Sequence, residues 1–329
     1  MPPSSLLEMP ELVMDKVLNL VGFQEIFALR KVCKSIRNYI DEKKPDLKLH
    51  DIDIFFKLAE VTILFKASSA QNELKYCKSG TVIYKNGDNQ KTSEIDDISQ
   101  FWNDFDQILN FQNSVLGSLK IQQVPHSKHE PLKRLGEILE NKLHPLSIES
   151  IYLETNGSAE TRISKILRLL NLKFLKSLTI TNVDPEVDDE KFELSLISEH
   201  WKNIEEIVIH GFVVNRNLNM EIFGHFSRID VTFDVMRVED VVELKTILRS
   251  SACMDRFHLQ YLKFDNPENL SSALGVHLMH NNRQRTKYCY FETDNSEKVI
   301  SFSHNYLKKY LNFCLMDRFW LDDEMELII

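Results

Sequence analysis

The first forty residues repeat apolar positions at helical spacing. Leu12, Val13, Val17, Leu20 and Val21 share one face of a helix that Pro10 suits as a first residue and Gly22 as a stop. Ile26, Leu29, Val32, Cys33, Ile36, Tyr39 and Ile40 then step by three, three, one, three, three and one, which predicts one or two further short helices. A segment this short cannot cover so much apolar side chain by itself, so part of that surface must be buried by something else. After the polar, proline-stopped junction Lys43 to Pro45, residues 59–66, 74–77 and 81–85 read as strands, with Asn86-Gly87-Asp88 supplying turn chemistry. Ile98, Trp102, Phe105, Ile108 and Leu109 mark an amphipathic helix.

From Val115 onward the frame apolar-x-x-apolar-x-apolar recurs. It occurs as Leu116, Leu119, Ile121; Ile148, Ile151, Leu153; Leu175, Leu178, Ile180; Ile204, Ile207, Ile209; Phe226, Ile229, Val231; and Met254, Phe257, Leu259. With 43% apolar residues a single frame arises by chance roughly two dozen times, so the order is what counts. The middle positions stand 32, 27, 29, 22 and 28 residues apart, and helical patterns fill the gaps at 132–143, 162–172, 192–201, 218–226 and 238–248. Alternating strand and helix at this period is the pattern of leucine-rich repeats, with parallel strands, and Tyr288 to Phe291 reads as a degenerate terminal unit. The expected fold is α/β: a short N-terminal helical segment, a small β-hairpin unit, then a curved leucine-rich-repeat-like solenoid. A compact α/β sheet of the same elements is the alternative. The expected divisions are 1–45, 46–97, 98–310 and 311–329.

In each frame the residue between the last two apolar positions points away from the core. That selects Lys120, Tyr152, Thr179, Val208, Asp230 and His258 as a candidate target-binding row, followed two positions on by Gln122, Glu154, Thr181, His210, Thr232 and Gln260.

Charge and composition narrow the functional classes. The chain has 329 residues and a net charge of −9, which disfavours nucleic acid and anionic membrane as partners. Its nine glycines include no G-x-G, P-loop or G-x-S-x-G arrangement, so nucleotide and α/β-hydrolase chemistry fall away. Five scattered cysteines argue for reduced thiols, and no 18-residue apolar run or basic leader is present, so an intracellular place, cytoplasmic or nuclear, is expected. His126 and His129 beside Glu130 are metal-ligand residue types, but prolines break the local geometry and no third ligand converges. His277 and His280 lack the Glu of H-E-x-x-H, and Asp184 to Glu190 lacks the glycine of a calcium loop. Arg283, Arg285 and Lys287 form the best basic patch. No cofactor, metal site or catalytic residue is expected.

Met9-Pro10-Glu11-Leu12, Val17-Leu18, Leu20, Ile26, Leu29 and Val32-Cys33-Lys34 with Arg37 stand in the order and spacing of an F-box, which this stretch resembles. Ile36 stands where many F-boxes carry tryptophan and Met9 where leucine is usual; both remain apolar. The resemblance implies docking to a Skp-type adaptor, and through it to a cullin–RING ubiquitin ligase, by Met9, Pro10, Leu12, Val17, Leu18, Ile26, Leu29, Val32 and Cys33. Residues 105–121, 163–180, 199–209 and SFSHN near the end resemble the FTH domain, a nematode-expanded module that follows an F-box. Together these imply a non-catalytic substrate receptor whose C-terminal part recruits an unknown target protein. A scaffold adaptor for a protein or RNA complex that does not promote degradation is the alternative.

Overall fold

The computed structural model describes residues 9–67, 70–77, 81–86, 89–94, 99–125, 129–156, 160–184, 191–193, 202–214, 220–281, 283 and 285–321. The chain divides into two compact units, residues 1–154 with 162–175, and residues 155–161 with 176–329.

The first unit opens with helices α1 (Glu11–Leu20), α2 (Phe23–Leu29) and α3 (Lys34–Lys43). Five strands follow, β1 (Asp51–Phe56), β2 (Glu60–Ala67), β3 (Ala70–Cys77), β4 (Thr81–Asn86) and β5 (Asn89–Glu94), and then α4 (Ser99–Phe111) and β6 (Leu116–Gln123). The unit continues through α5 (Pro131–Asn141), β7 (Leu146–Thr155), α6 (Glu160–Leu169) and β8 (Leu170–Asn171). The strands are ordered β5-β4-β3-β2-β1-β6-β7-β8, antiparallel as far as β1 and parallel from β1 onward. The change of direction follows from the connections: short turns return the chain antiparallel, whereas α4, α5 and α6 carry it across to restart in the same direction. Strand β1, which the sequence reading does not anticipate, lies between β2 and β6.

One face of this sheet is apolar. Ile52, Ile54 and Phe56 lie level with Phe65, Ile63 and Val61 on one side, and Ile52 and Ile54 with Leu119 and Ile121 on the other. All of these are buried, as are Phe101, Phe105 and Leu109 of α4, Leu135 of α5 and Ile163 and Ile166 of α6.

The second unit contains β9 (Ser177–Asn182), β10 (Lys191–Phe192), β11 (Glu206–Val214), β12 (Arg228–Arg237), α7 (Val238–Arg249) and β13 (Arg256–Asp265). It closes with the short helix α8 (Leu270–Leu274) and strands β14 (Met279–Asn281), β15 (Thr286–Glu292), β16 (Lys298–Asn305) and β17 (Tyr310–Asp317). Strands β9, β11, β12 and β13 are parallel, and β13 then pairs antiparallel with β17, followed by β16, β15 and β14. A single buried row, Leu178, Ile207, Ile229, Phe257, Phe313, Phe302 and Cys289, crosses the sheet in register.

All eighteen residues of the six repeat frames are buried, and the frames of neighbouring parallel strands align position for position, as in Leu119 with Ile151 and Ile207 with Ile229. Three predicted elements differ. Phe192 lies in a strand, and residues 194–201 fall outside the described residues. In the crossover predicted at 218–226 the described residues form a 3-10 turn, Met220–His225, in keeping with the short 22-residue step between Ile207 and Ile229. Tyr288 to Phe291 belongs to an antiparallel meander and not to a degenerate repeat: β15 pairs with β16, and β16 with β17, through turns too short to hold a helix.

Strand β11 bulges between Val208 and Val213. Gly211 sits there at φ +72°, and a Cβ would stand 2.8 Å from the Asn182 carbonyl oxygen, so the close approach of these two chains requires glycine.

Candidate adaptor-docking and target-binding surfaces

The three N-terminal helices divide their apolar residues between an interior and a surface. Met14, Leu18, Phe23, Ile26, Ile36 and Ile40 are buried; Leu12, Leu20 and Val32 are 67%, 86% and 66% exposed, and Met9, Pro10, Val13 and Cys33 are exposed beside them. Of the nine expected docking residues, Leu18 and Ile26 therefore lie inside the free chain, Val17 and Leu29 are half-buried, and the other five face solvent. So many large apolar side chains left uncovered on one short segment mark an interaction surface.

The helices are also fastened to the sheet of their own unit. Phe23 packs on Phe65 of β2, with ring centroids 5.0 Å apart, and Phe27 on Phe111 of α4 at 6.1 Å. Arg30 lies 5.6 Å from the centroids of both Phe27 and Phe111, donates to Asp41 at 2.6 and 3.1 Å, and reaches Gln107 Oε1 at 2.7 Å. Below it, buried Gln112 accepts from the Leu49 N–H at 3.0 Å and donates to the Leu49 carbonyl at 3.1 Å. Asp46 accepts from the N–H groups of Asn113 and Ser114 at 3.0 and 3.1 Å. Lys142 closes the C-terminal end of α4, donating to the carbonyls of Leu109 and Gln112 at 2.6 and 3.1 Å, where a cation meets the negative end of the helix; burial holds its pKa below the usual lysine range. Sequence reasoning missed Arg30, Asp46, Gln112 and Lys142, because their partners are distant in the chain and follow no period.

The expected target-binding residues occupy the sheet face opposite the buried frames. In the first unit Lys120 lies level with Asp53 and Tyr152. The Tyr152 hydroxyl donates to Glu154 Oε1 at 2.6 Å, and Glu154 Oε2 accepts from the Gln123 N–H at 2.9 Å. In the second unit Thr179, Val208, Asp230 and His258 are level with one another, Val208 being buried and the other three half-buried. His210 Nε2 stands 3.1 Å from Asp230 Oδ2, and the hydrogen bond the imidazole donates to this carboxylate raises the His210 pKa. The His258 ring stands 4.9 Å from Tyr310, with Nδ1 2.7 Å from Asn312 Oδ1 and Nε2 3.3 Å from Gln260 Nε2. The same row continues into Asn312, Ser303 and Tyr288 of the meander, which the sequence reading leaves out of the candidate face.

Among the described residues no three candidate metal ligands gather at one point. His126 lies outside the described residues, and His129 packs on the Phe56 ring at 5.6 Å. His280 packs near Tyr306 at 6.3 Å and His277 is exposed. Among the described residues no helix is long and apolar enough to cross a membrane.

A helical N-terminal segment with an uncovered apolar face, followed by parallel strand–helix units, is a modular α/β architecture. Comparison with known families gives it a name: the F-box domain model matches residues 6–48 and the FTH domain model residues 129–275, so the chain carries an F-box followed by an FTH domain. It is 22% identical over 316 residues to F-box A protein 224 of Caenorhabditis elegans, covering 93% of this chain and 79% of that protein. No solved structure matches. F-box domains in general bind Skp-type adaptors of SCF-type ubiquitin ligases, and F-box proteins in general are non-catalytic adaptors.

Proposed function

We propose that this chain is a substrate-receptor subunit of an SCF-type ubiquitin ligase. It binds the Skp-type adaptor through residues 9–40 and a target protein through the open faces of its sheets, each half being a short stack of leucine-rich-repeat-like units. Its contribution is proximity: it raises the effective concentration of target lysines near the charged conjugating enzyme. The observation that carries this reading is the exposed set Met9, Pro10, Leu12, Val13, Leu20 and Val32 on helices whose interior is already filled.

Leu12→Ala with Val32→Ala tests the docking surface without touching the interior. Adaptor affinity is expected to fall by at least about tenfold, the loss typical of one truncated hot-spot residue, with the melting temperature unchanged. Wild-type affinity in a pull-down with purified adaptor would remove these residues from the interface. Tyr152→Ala with His258→Ala is expected to lower ubiquitination-dependent turnover of proximity-labelled partners while leaving adaptor binding intact. Partners whose abundance ignores proteasome inhibition would favour a scaffold that does not promote degradation.

A further inference from the structure

The antiparallel meander of the second unit carries two kinds of strand end. Thr286, the first residue of β15, pairs with Asn305, the last of β16, and Asn305 pairs with Tyr310, the first of β17. The turns before β15 and between β16 and β17 therefore emerge side by side, about 10 Å apart at two inter-strand spacings. They bring together Arg283, Arg285, Lys308 and Lys309, with the exposed side chains of Tyr306 and Leu307 beside them.

Among the described residues no carboxylate stands within ion-pair distance of any of these four cations; Lys309 donates to the Leu262 carbonyl at 3.1 Å. The opposite end of the same strands is built differently: Lys298 pairs with Asp317 at 2.5 Å and Arg318 with Glu292 at 2.6 Å. Arg285 and Lys309 also hold φ +51° and +55°, a left-handed conformation that glycine or asparagine adopts with less strain. Cations thus occupy both turns at positions where backbone preference would choose other residues, in a chain whose net charge is −9.

We propose that these paired turns bind an acidic peptide segment of a partner protein. A span of about 10 Å matches about three residues of extended peptide, so two or three acidic side chains can meet the cations while an apolar neighbour rests on Leu307. Charge also separates a peptide from a nucleic acid. A short acidic segment feels mainly the local positive field, which reaches about 8 Å at physiological salt, whereas a long polyanion must also pass the negative remainder of the chain. Leu307 offers aliphatic contact and Tyr306 beside it an aromatic face, so charge, and not shape, separates the two.

The test uses the full chain, with no adaptor present, so its outcome is separate from that of the ligase reading. Fluorescence anisotropy would follow a labelled glutamate-rich peptide with one central leucine, and an oligouridylate of matched length. Peptide binding is expected to weaken as salt is raised. The set Arg283→Gln, Arg285→Asn, Lys308→Gln and Lys309→Asn should reduce affinity at least about tenfold, and Lys298→Gln with Arg318→Gln should leave it unchanged. If the fourfold variant melts early, Lys308→Gln with Lys309→Asn alone should still weaken the peptide severalfold. No peptide binding, equal loss in both variant sets, or tighter binding of the oligouridylate would overturn the proposal.

Discussion

A chain beginning at Asp46 is expected to lose its fold in the first unit, and not merely the proposed docking surface. The F-box helices cover Phe65 and Phe111, which are buried, and Arg30 joins α2 to Gln107 of α4. Removing the helices returns both rings to water at about 1.5–3 kcal/mol each. It also strips the apolar contacts of Phe23 and Phe27 from the sheet and α4. The sum is comparable with the whole stability of an ordinary domain, about 5–15 kcal/mol. Limited proteolysis and thermal melting of the truncated chain beside the full chain check this. Cleavage within residues 46–125 at protease levels that spare the full chain is expected, and coincident melting curves would show the F-box to be separable. Surface variants such as Leu12→Ala with Val32→Ala are consequently the cleaner test of the proposed adaptor docking.

Stability is also expected to fall by about 3 kcal/mol as pH drops from 6.5 to 4, through His304. This imidazole is buried, its Nε2 lies 2.7 Å from the Tyr261 hydroxyl, and its Nδ1 has no hydrogen-bond partner among the described residues. Burial, with the charge of Lys287 alongside, lowers its pKa from 6.5 to about 4, while burial raises that of Tyr261 to about 12, so the phenol keeps its proton and the ring stays neutral. Between those two pH values the unfolded chain binds a proton that the folded chain refuses. The stabilisation is therefore complete above pH 6.5 and lost as pH falls towards 4. His210 acts in the opposite sense: its raised pKa stabilises the fold below its unfolded value and loses that effect as pH rises through the folded one. Half-exposed at the surface, it contributes less. Urea titrations at several pH values, for wild type and His304→Gln, isolate the buried ring. If the two proteins lose stability in parallel, His304 is not the cause.

The repeat frames were readable in the sequence because the apolar triplets recur on parallel strands, each reached by a crossover whose length sets the spacing. The meander of β15 to β17 escaped for the complementary reason: antiparallel strands joined by turns have no intervening helix to impose a period. Strand β1 escaped because Asp51 and Asp53 give it the look of a charged linker. Both face the open side of the sheet, with carboxylates 3.7 and 3.9 Å from Lys66. In the F-box the spacing identified the apolar set without dividing it, since buried Leu18 and Ile26 and exposed Leu12 and Val32 obey the same helical rule. Only tertiary contacts separate the two classes. The clamp residues Arg30 and Gln112 act through partners 77 and 63 positions away, beyond any local pattern.

Strand β13 meets β12 in parallel and β17 in antiparallel fashion. Such a strand is a junction between two growth rules. On its parallel side a strand–helix module can be duplicated or deleted in evolution, because every module presents its successor with the same edge. On its antiparallel side the hairpins must be inherited whole, since omitting one strand reverses the direction of the next. Relatives of this chain should therefore vary in length by whole modules ahead of β13 and keep the meander behind it intact.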